Sequence, residues 1–124
     1  TSILANKPRL KILRLNRVIF GVPDQDSIAD FYSEIGKLHH LRELVLKTRH
    51  MKCERNHGRC WRSLFSKLGE LRVLDMSDID DEALCVISKH SLHLQALYAQ
   101  DSLRASMDSI LKTLTLCPIE ILKI

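Results

Sequence analysis

The chain is poor in glycine, cysteine and aromatic residues, and each shortage narrows the folds and functions open to it. Four glycines among 124 residues leave little scope for a glycine-rich loop that cradles a phosphate. Four cysteines are too few for a fold of this length to be held together by disulfides. Because aromatic residues make up only 5% of the chain, its core must consist mainly of aliphatic side chains.

Long apolar runs and targeting patterns are also missing from the sequence. No stretch approaches the roughly 18–20 apolar residues that a membrane-spanning helix needs, so we expect no membrane partner. Cys85 and Cys117 lie among apolar residues, and Cys53 and Cys60 lie in a polar stretch. Without a disulfide framework, this distribution favours an intracellular location, in the cytoplasm or the nucleus. The net charge of +4 permits an acidic partner without requiring a nucleic acid.

Catalytic motifs are the third absence. The chain contains no nucleophile elbow, no H-E-x-x-H pair and no phosphate-binding loop. The clustered acids Asp78, Asp80, Asp81 and Glu82 fit a helix N-terminus better than a metal or acid–base site. A content of 45% hydrophobic and 27% charged residues is nevertheless typical of a folded domain. We therefore expect a binding protein and not an enzyme.

A six-residue pattern, L-x-x-L-x-L, is the strongest feature that is present. Five copies, some with Ile, Met or Ala in place of Leu, occupy residues 10–15, 41–46, 71–76, 94–99 and 119–124. Since the second and third Leu positions of the pattern are two residues apart, their side chains point to one face of a strand. Parallel strands need a crossover between them, which the intervening segments must supply.

These intervening segments carry apolar residues at helical spacing. The residues concerned are Ile28, Phe31, Ile35 and Leu38; Trp61, Leu64, Phe65 and Leu68; Leu84 and Ile87; and Met107, Ile110, Leu111 and Leu114. Asp80 is placed to cap the third helix. The sequence therefore predicts an α/β leucine-rich-repeat solenoid, with a parallel sheet on its concave face and helices on its convex face. We expect residues 1–124 to form a single domain that is a fragment of a longer solenoid.

The third and fourth repeats resemble a known family. Residues 71–97 are similar to the cysteine-containing leucine-rich repeats of F-box proteins, with Ile79-Asp80-Asp81 at the I-T-D step of that pattern and Cys117-Pro118 at its C-P step. His90-Ser91 replaces C-P one repeat earlier, and the cysteine that follows the strand in the family is absent. The first two repeats are longer and nearer in period to those of ribonuclease-inhibitor-like proteins. The resemblance implies the substrate receptor of a ubiquitin ligase, whose F-box would lie in sequence beyond this chain.

Two rows of strand residues alternate with the buried positions and are expected to face the concave side. One row consists of Arg14, Val45, Asp75, Tyr98 and Lys123. The adjacent row consists of Ile12, Glu43, Val73, Ala96 and Ile121. Lys47 and Gln100 extend the surface. An aromatic residue among charges is typical of a protein-binding surface, and Tyr98 is the candidate anchor.

An inserted loop at residues 48–60 has the composition of a metal site. His50, Cys53, His57 and Cys60 are spaced H-x2-C-x3-H-x2-C, and two cysteines with two histidines are a set that binds zinc. The central spacer is shorter than in zinc fingers, so the alternative is a solvated loop. The basic residues of this loop also permit contact with phosphate or with an acidic protein.

Three functions follow from these patterns. The first is protein binding as the substrate-recognition module of an F-box-type ubiquitin ligase receptor, with a ligase scaffold as a second partner. The second is a structural or assembly subunit that uses the repeats within a stable complex. The third is a nucleic-acid or ribonucleoprotein adaptor, which only the modest positive charge and the basic loop support.

Overall fold

Strands and helices alternate along the chain. The computed structural model describes residues 7, 9–19, 25–49, 57–77, 79–99 and 105–124. The strands are β1 (Ile12–Ile19), β2 (Glu43–Arg49), β3 (Val73–Met76), β4 (Ala96–Tyr98) and β5 (Ile121–Lys123). The helices are α1 (Gln25–Gly36), α2 (His57–Phe65), α3 (Asp81–His90) and α4 (Met107–Leu116).

The five strands form one parallel sheet in the order β1-β2-β3-β4-β5. This confirms the predicted α/β class and the parallel sheet. Each strand overlaps one copy of the L-x-x-L-x-L pattern and begins two residues after its first position. The first position lies in the turn before the strand, where Leu41, Leu71 and Leu94 are fully buried.

The core lies between the sheet and the helices. On the strand side, Leu44, Leu74 and Leu97 are buried and alternate with more exposed neighbours, as the period of two predicts. On the helix side, the stripes predicted from the sequence supply the buried residues Ile35, Leu38, Trp61, Leu64, Phe65, Leu68, Leu84 and Ile87. These groups belong to one hydrophobic cluster.

Aromatic side chains concentrate between α1 and α2. The ring centroid of Trp61 lies 5.5 Å from that of Tyr32 and 6.1 Å from that of Phe65. These separations lie in the range in which aromatic pairs attract each other. Because Tyr32, Trp61 and Phe65 are all buried, their packing stabilises the contact between α1 and α2.

The N-termini of α3 and α4 are capped and linked to each other. The Asp80 side chain accepts a hydrogen bond from the backbone N–H of Ala83 at 2.8 Å, which confirms its predicted capping role. Ser106 caps α4 in the same manner, through Ser109. The backbone N–H of Ser106 also donates to the Asp81 carboxylate at 2.6 Å. This bond joins two consecutive strand–helix units outside the apolar core.

The structure differs from the sequence analysis at two places. The stripe predicted for α4 is largely solvent-exposed, since Met107, Leu111 and Leu114 are 67%, 53% and 38% exposed. The reason is that α4 packs on α3 on one side, while no further helix of the described residues covers its other side. Cys85, expected among apolar neighbours, is exposed, whereas Cys117 is buried. None of the helices in the described part of the chain is long and apolar enough to cross a bilayer.

Candidate functional site

The candidate site is the face of the sheet that the helices do not cover, which we call the open face. Its centre is a row of five side chains, one from each strand, aligned by the register of the sheet. They are Arg14, Val45, Asp75, Tyr98 and Lys123. Because neighbouring parallel strands lie about 4.8 Å apart, the row spans roughly 19 Å. All five are at least partly exposed.

Diagonal ion pairs connect the strands across this face. Arg14 donates to the carboxylate of Glu43, and Lys47 Nζ lies 3.3 Å from Asp75 Oδ2. In both pairs the basic side chain is more than twice as exposed as the acidic one. The pKa of Arg14 is raised, first by the hydrogen bond to Glu43 and then by the negative charge of that carboxylate. In both pairs the open face therefore exposes its cation to solvent more than its acid.

Tyr98 lies between two charged neighbours. Asp75 is its register partner on one side and Lys123 on the other. The Lys123 ammonium lies 5.8 Å from the centre of the Tyr98 ring, within the range of a cation–π contact. Because Tyr98 is half-buried, its ring is held by neighbours while part of it stays accessible. A partly fixed aromatic ring loses little entropy on binding, which makes it a suitable anchor.

The adjacent row supplies apolar surface at its two ends and a buried position in between. Ile12 is 53% exposed and Ile121 is 44% exposed, whereas Ala96 is only 6% exposed. Ala96 therefore offers almost no surface to a partner. Gln100, predicted to extend the surface, lies outside the described residues.

The zinc hypothesis falls largely outside the described residues. His50 and Cys53 lie outside the described residues, while His57 and Cys60 are the first and fourth residues of α2. Among the residues that the structure describes, no group of three or more His, Cys, Asp or Glu side chains could hold a metal ion. Zinc binding at the 48–60 loop therefore stays a prediction.

The sequence analysis missed a third row, formed by the residues just before the first three strands. Lys11, Arg42 and Arg72 occupy equivalent positions, one after the first Leu of their repeats. The backbone N–H of Arg42 donates to the carbonyl of Lys11 at 2.7 Å, and that of Arg72 donates to the carbonyl of Arg42 at 2.8 Å. Aligning the repeats at their first Leu would have revealed three consecutive basic positions.

Known proteins give no independent guide to this surface. No protein-family model matches the chain, and no curated protein and no solved structure matches it either. What the protein binds must therefore be inferred from the chemistry of its own open face.

Proposed function

We propose that the chain is a protein-binding module built of leucine-rich repeats, and that its partner binds the open face. The observation that carries this proposal is the aligned row around Tyr98, in which one partly fixed aromatic ring lies among charged side chains. Protein interfaces are enriched in Tyr and Arg at the positions that contribute most of the binding energy. In this proposal the parallel sheet is the concave lining of a solenoid, and the helices form its outer rim.

The same proposal assigns a role to the ion pairs. A partner that approaches the open face meets Arg14 and Lys47, whose own acidic neighbours already orient them. Side chains held in place lose less conformational entropy when they bind. Their charge favours a partner with acidic residues opposite them and disfavours a basic one.

Substrate recognition for a ubiquitin ligase is the specific function that we favour. Its support is the resemblance of residues 71–97 to the repeats of F-box proteins. The alternative, a structural subunit of a stable complex, requires the same binding face. The cellular half-life of the bound protein distinguishes the two functions. Only a ligase substrate would be degraded more slowly when this chain is removed from the cell.

Replacing Tyr98 with Ala tests the proposal. The protein captured by the wild-type chain should bind Tyr98→Ala at least about tenfold more weakly, because an anchor residue contributes on the order of 1.4 kcal/mol or more. The matched control is Leu111→Ala, a similar truncation at an exposed position of α4. Titration calorimetry or surface plasmon resonance gives both dissociation constants.

Two results would count against the proposal. Equal affinity for wild type and Tyr98→Ala would remove the anchor role. A loss with Leu111→Ala that matched or exceeded the loss with Tyr98→Ala would move the binding site to the helices. For the ligase assignment, an unchanged half-life of the captured protein after depletion of this chain would favour the structural subunit.

A further inference from the structure

A row of three basic residues crosses the sheet at the amino ends of its strands. Lys11, Arg42 and Arg72 are joined through backbone hydrogen bonds of 2.7 and 2.8 Å, and all three side chains are exposed. The spacing of parallel strands sets their backbones about 4.8 Å apart. We call this set the basic row. Like charges on directly neighbouring strands repel one another, so the row costs stability in the free protein.

None of the three is neutralised by a nearby acid among the described residues. The acids closest to them along the chain form no ion pair with them in the described residues: Glu43 accepts from Arg14, and Glu70 lies 3.5 Å from His40, which is charged only when protonated. The ion pairs of the described part of the chain include neither Lys11 nor Arg42 nor Arg72. Three adjacent cations without a counter-charge form a surface that an anion would stabilise.

The basic row has a defined length. The next position along the sheet is Gln95, whose backbone N–H donates to the Arg72 carbonyl at 2.8 Å. The following position is Glu120, joined to Gln95 in the same way at 2.7 Å. The positive stretch thus covers three strands, about 10 Å at the usual strand spacing, and gives way to a neutral and then an acidic residue.

We propose that the basic row binds a short acidic peptide segment, with two or three carboxylates, in a protein partner. A long polyanion such as a nucleic acid would extend past the row and meet Glu120, which would repel it. A peptide with a few acidic residues matches the limited length of the row. This surface is separate from the Tyr98 anchor and does not depend on it, so it goes beyond the proposed function.

The chemistry of the side chains suits carboxylates. Each Arg guanidinium donates two parallel hydrogen bonds to one carboxylate, a geometry that an ammonium does not offer. The Cβ atoms of residues three or four apart on a helix lie about 5–6 Å from each other, close to the step between the backbones of the basic row. Arg42 and Arg72 are therefore placed to bind two successive acidic side chains, with Lys11 adding a third positive charge.

Fluorescence anisotropy with a labelled peptide tests this proposal. The probe is a twelve-residue Ala- and Ser-based peptide with Glu at three positions spaced four apart, and its control has Gln at those positions. The double variant Arg42→Ala/Arg72→Ala should bind the Glu peptide at least about tenfold more weakly than wild type, because two charge-assisted contacts are lost. The matched control, Lys67→Ala/Lys112→Ala, removes the same charge from exposed positions elsewhere and should bind within about twofold of wild type.

The conservative variant Arg42→Lys/Arg72→Lys keeps the charge and should recover part of the affinity, since only the paired hydrogen bonds are missing. Equal binding of the Glu and Gln peptides would overturn the proposal. So would an equal loss in the two double-alanine variants, which would mean that net charge alone attracts the peptide. Tighter binding of a twelve-nucleotide single strand, lost with Arg42→Ala/Arg72→Ala, would replace the peptide with nucleic acid as the partner.

Discussion

Individual polar contacts differ from one pair of neighbouring strand–helix units to the next. The buried Leu residues define where strands and helices form, but they are chemically alike from one unit to the next. Contacts such as Asp81 with Ser106 and Arg14 with Glu43 are specific to one pair of units. The buried thiol of Cys117 makes a contact of another kind. It donates to the Ser91 carbonyl at 3.4 Å, and burial raises the pKa of the thiol. Cys117 is therefore a packing residue that stays protonated.

Asp81 makes folding stability depend on pH. Its pKa is lowered, chiefly by the hydrogen bond from the Ser106 backbone, with smaller help from the Ser106 and Ser109 hydroxyls against a desolvation cost. A carboxylate with a lowered pKa stabilises the fold at every pH above its unfolded pKa, and that stabilisation is lost as pH falls through the lower, folded pKa. The Asp81→Asn variant lacks this contribution at every pH.

We expect wild type to be more resistant to urea than Asp81→Asn at pH 7, with the difference shrinking below about pH 4. Urea unfolding followed by circular dichroism at several pH values measures the difference. Glu82→Gln removes the same charge from the same helical turn and serves as the control. A difference between wild type and Asp81→Asn that stays constant down to pH 2.5 would contradict the role of the Asp81 carboxylate.

At the scale of elements, the distance between α1 and α2 depends on a glycine at their contact as well as on the large apolar side chains between them. Gly36 ends α1 where it meets α2, and a Cβ atom at this position would lie 2.2 Å from the backbone oxygen of Ser63. Because a backbone oxygen cannot rotate away as a side chain does, any larger residue must push the helices apart. The aromatic contacts between Tyr32 and Trp61 would then loosen.

Gly36→Ala should therefore lower the free energy of unfolding by about 1–3 kcal/mol, the usual cost of overpacking. Gly69→Ala is the matched control, since nothing lies within 4 Å of its added Cβ. That control should be neutral or slightly stabilising, because Ala restricts the unfolded chain. Equal urea midpoints for the two variants would show that α1 and α2 do not approach as closely as described.

The sequence predicts the elements well and the surfaces less well. The L-x-x-L-x-L spacing places all five strands, because a period of two with one buried face is a local property. It does not predict that β1 continues to Ile19, four residues past its repeat. The exposure of Leu111 was also missed, since burial of a helix face depends on which neighbour covers it. The repeat predicts which residues form the rows of the open face. The diagonal ion pairs can be identified only from the positions of the side chains.

For the whole molecule, the main consequence of the fold is a division between two faces. Helices cover one side of the sheet and bury the Leu side chains, so that side holds the molecule together. The open face contributes little to the core. Because the five strands pair in one register, the exposed residues of this face form continuous rows across the sheet. The basic row lies apart from the Tyr98 row, just before the first three strands at their amino ends.

The most direct test of protein binding on the open face is site-specific photo-crosslinking. A photoreactive amino acid is placed at position 45 or 98 on the open face, or at position 85 or 111 on exposed helix sites. We expect positions 45 and 98 to crosslink to the same partner protein and positions 85 and 111 to yield no such product. Crosslinking to that partner from positions 85 and 111 alone would contradict binding on the open face.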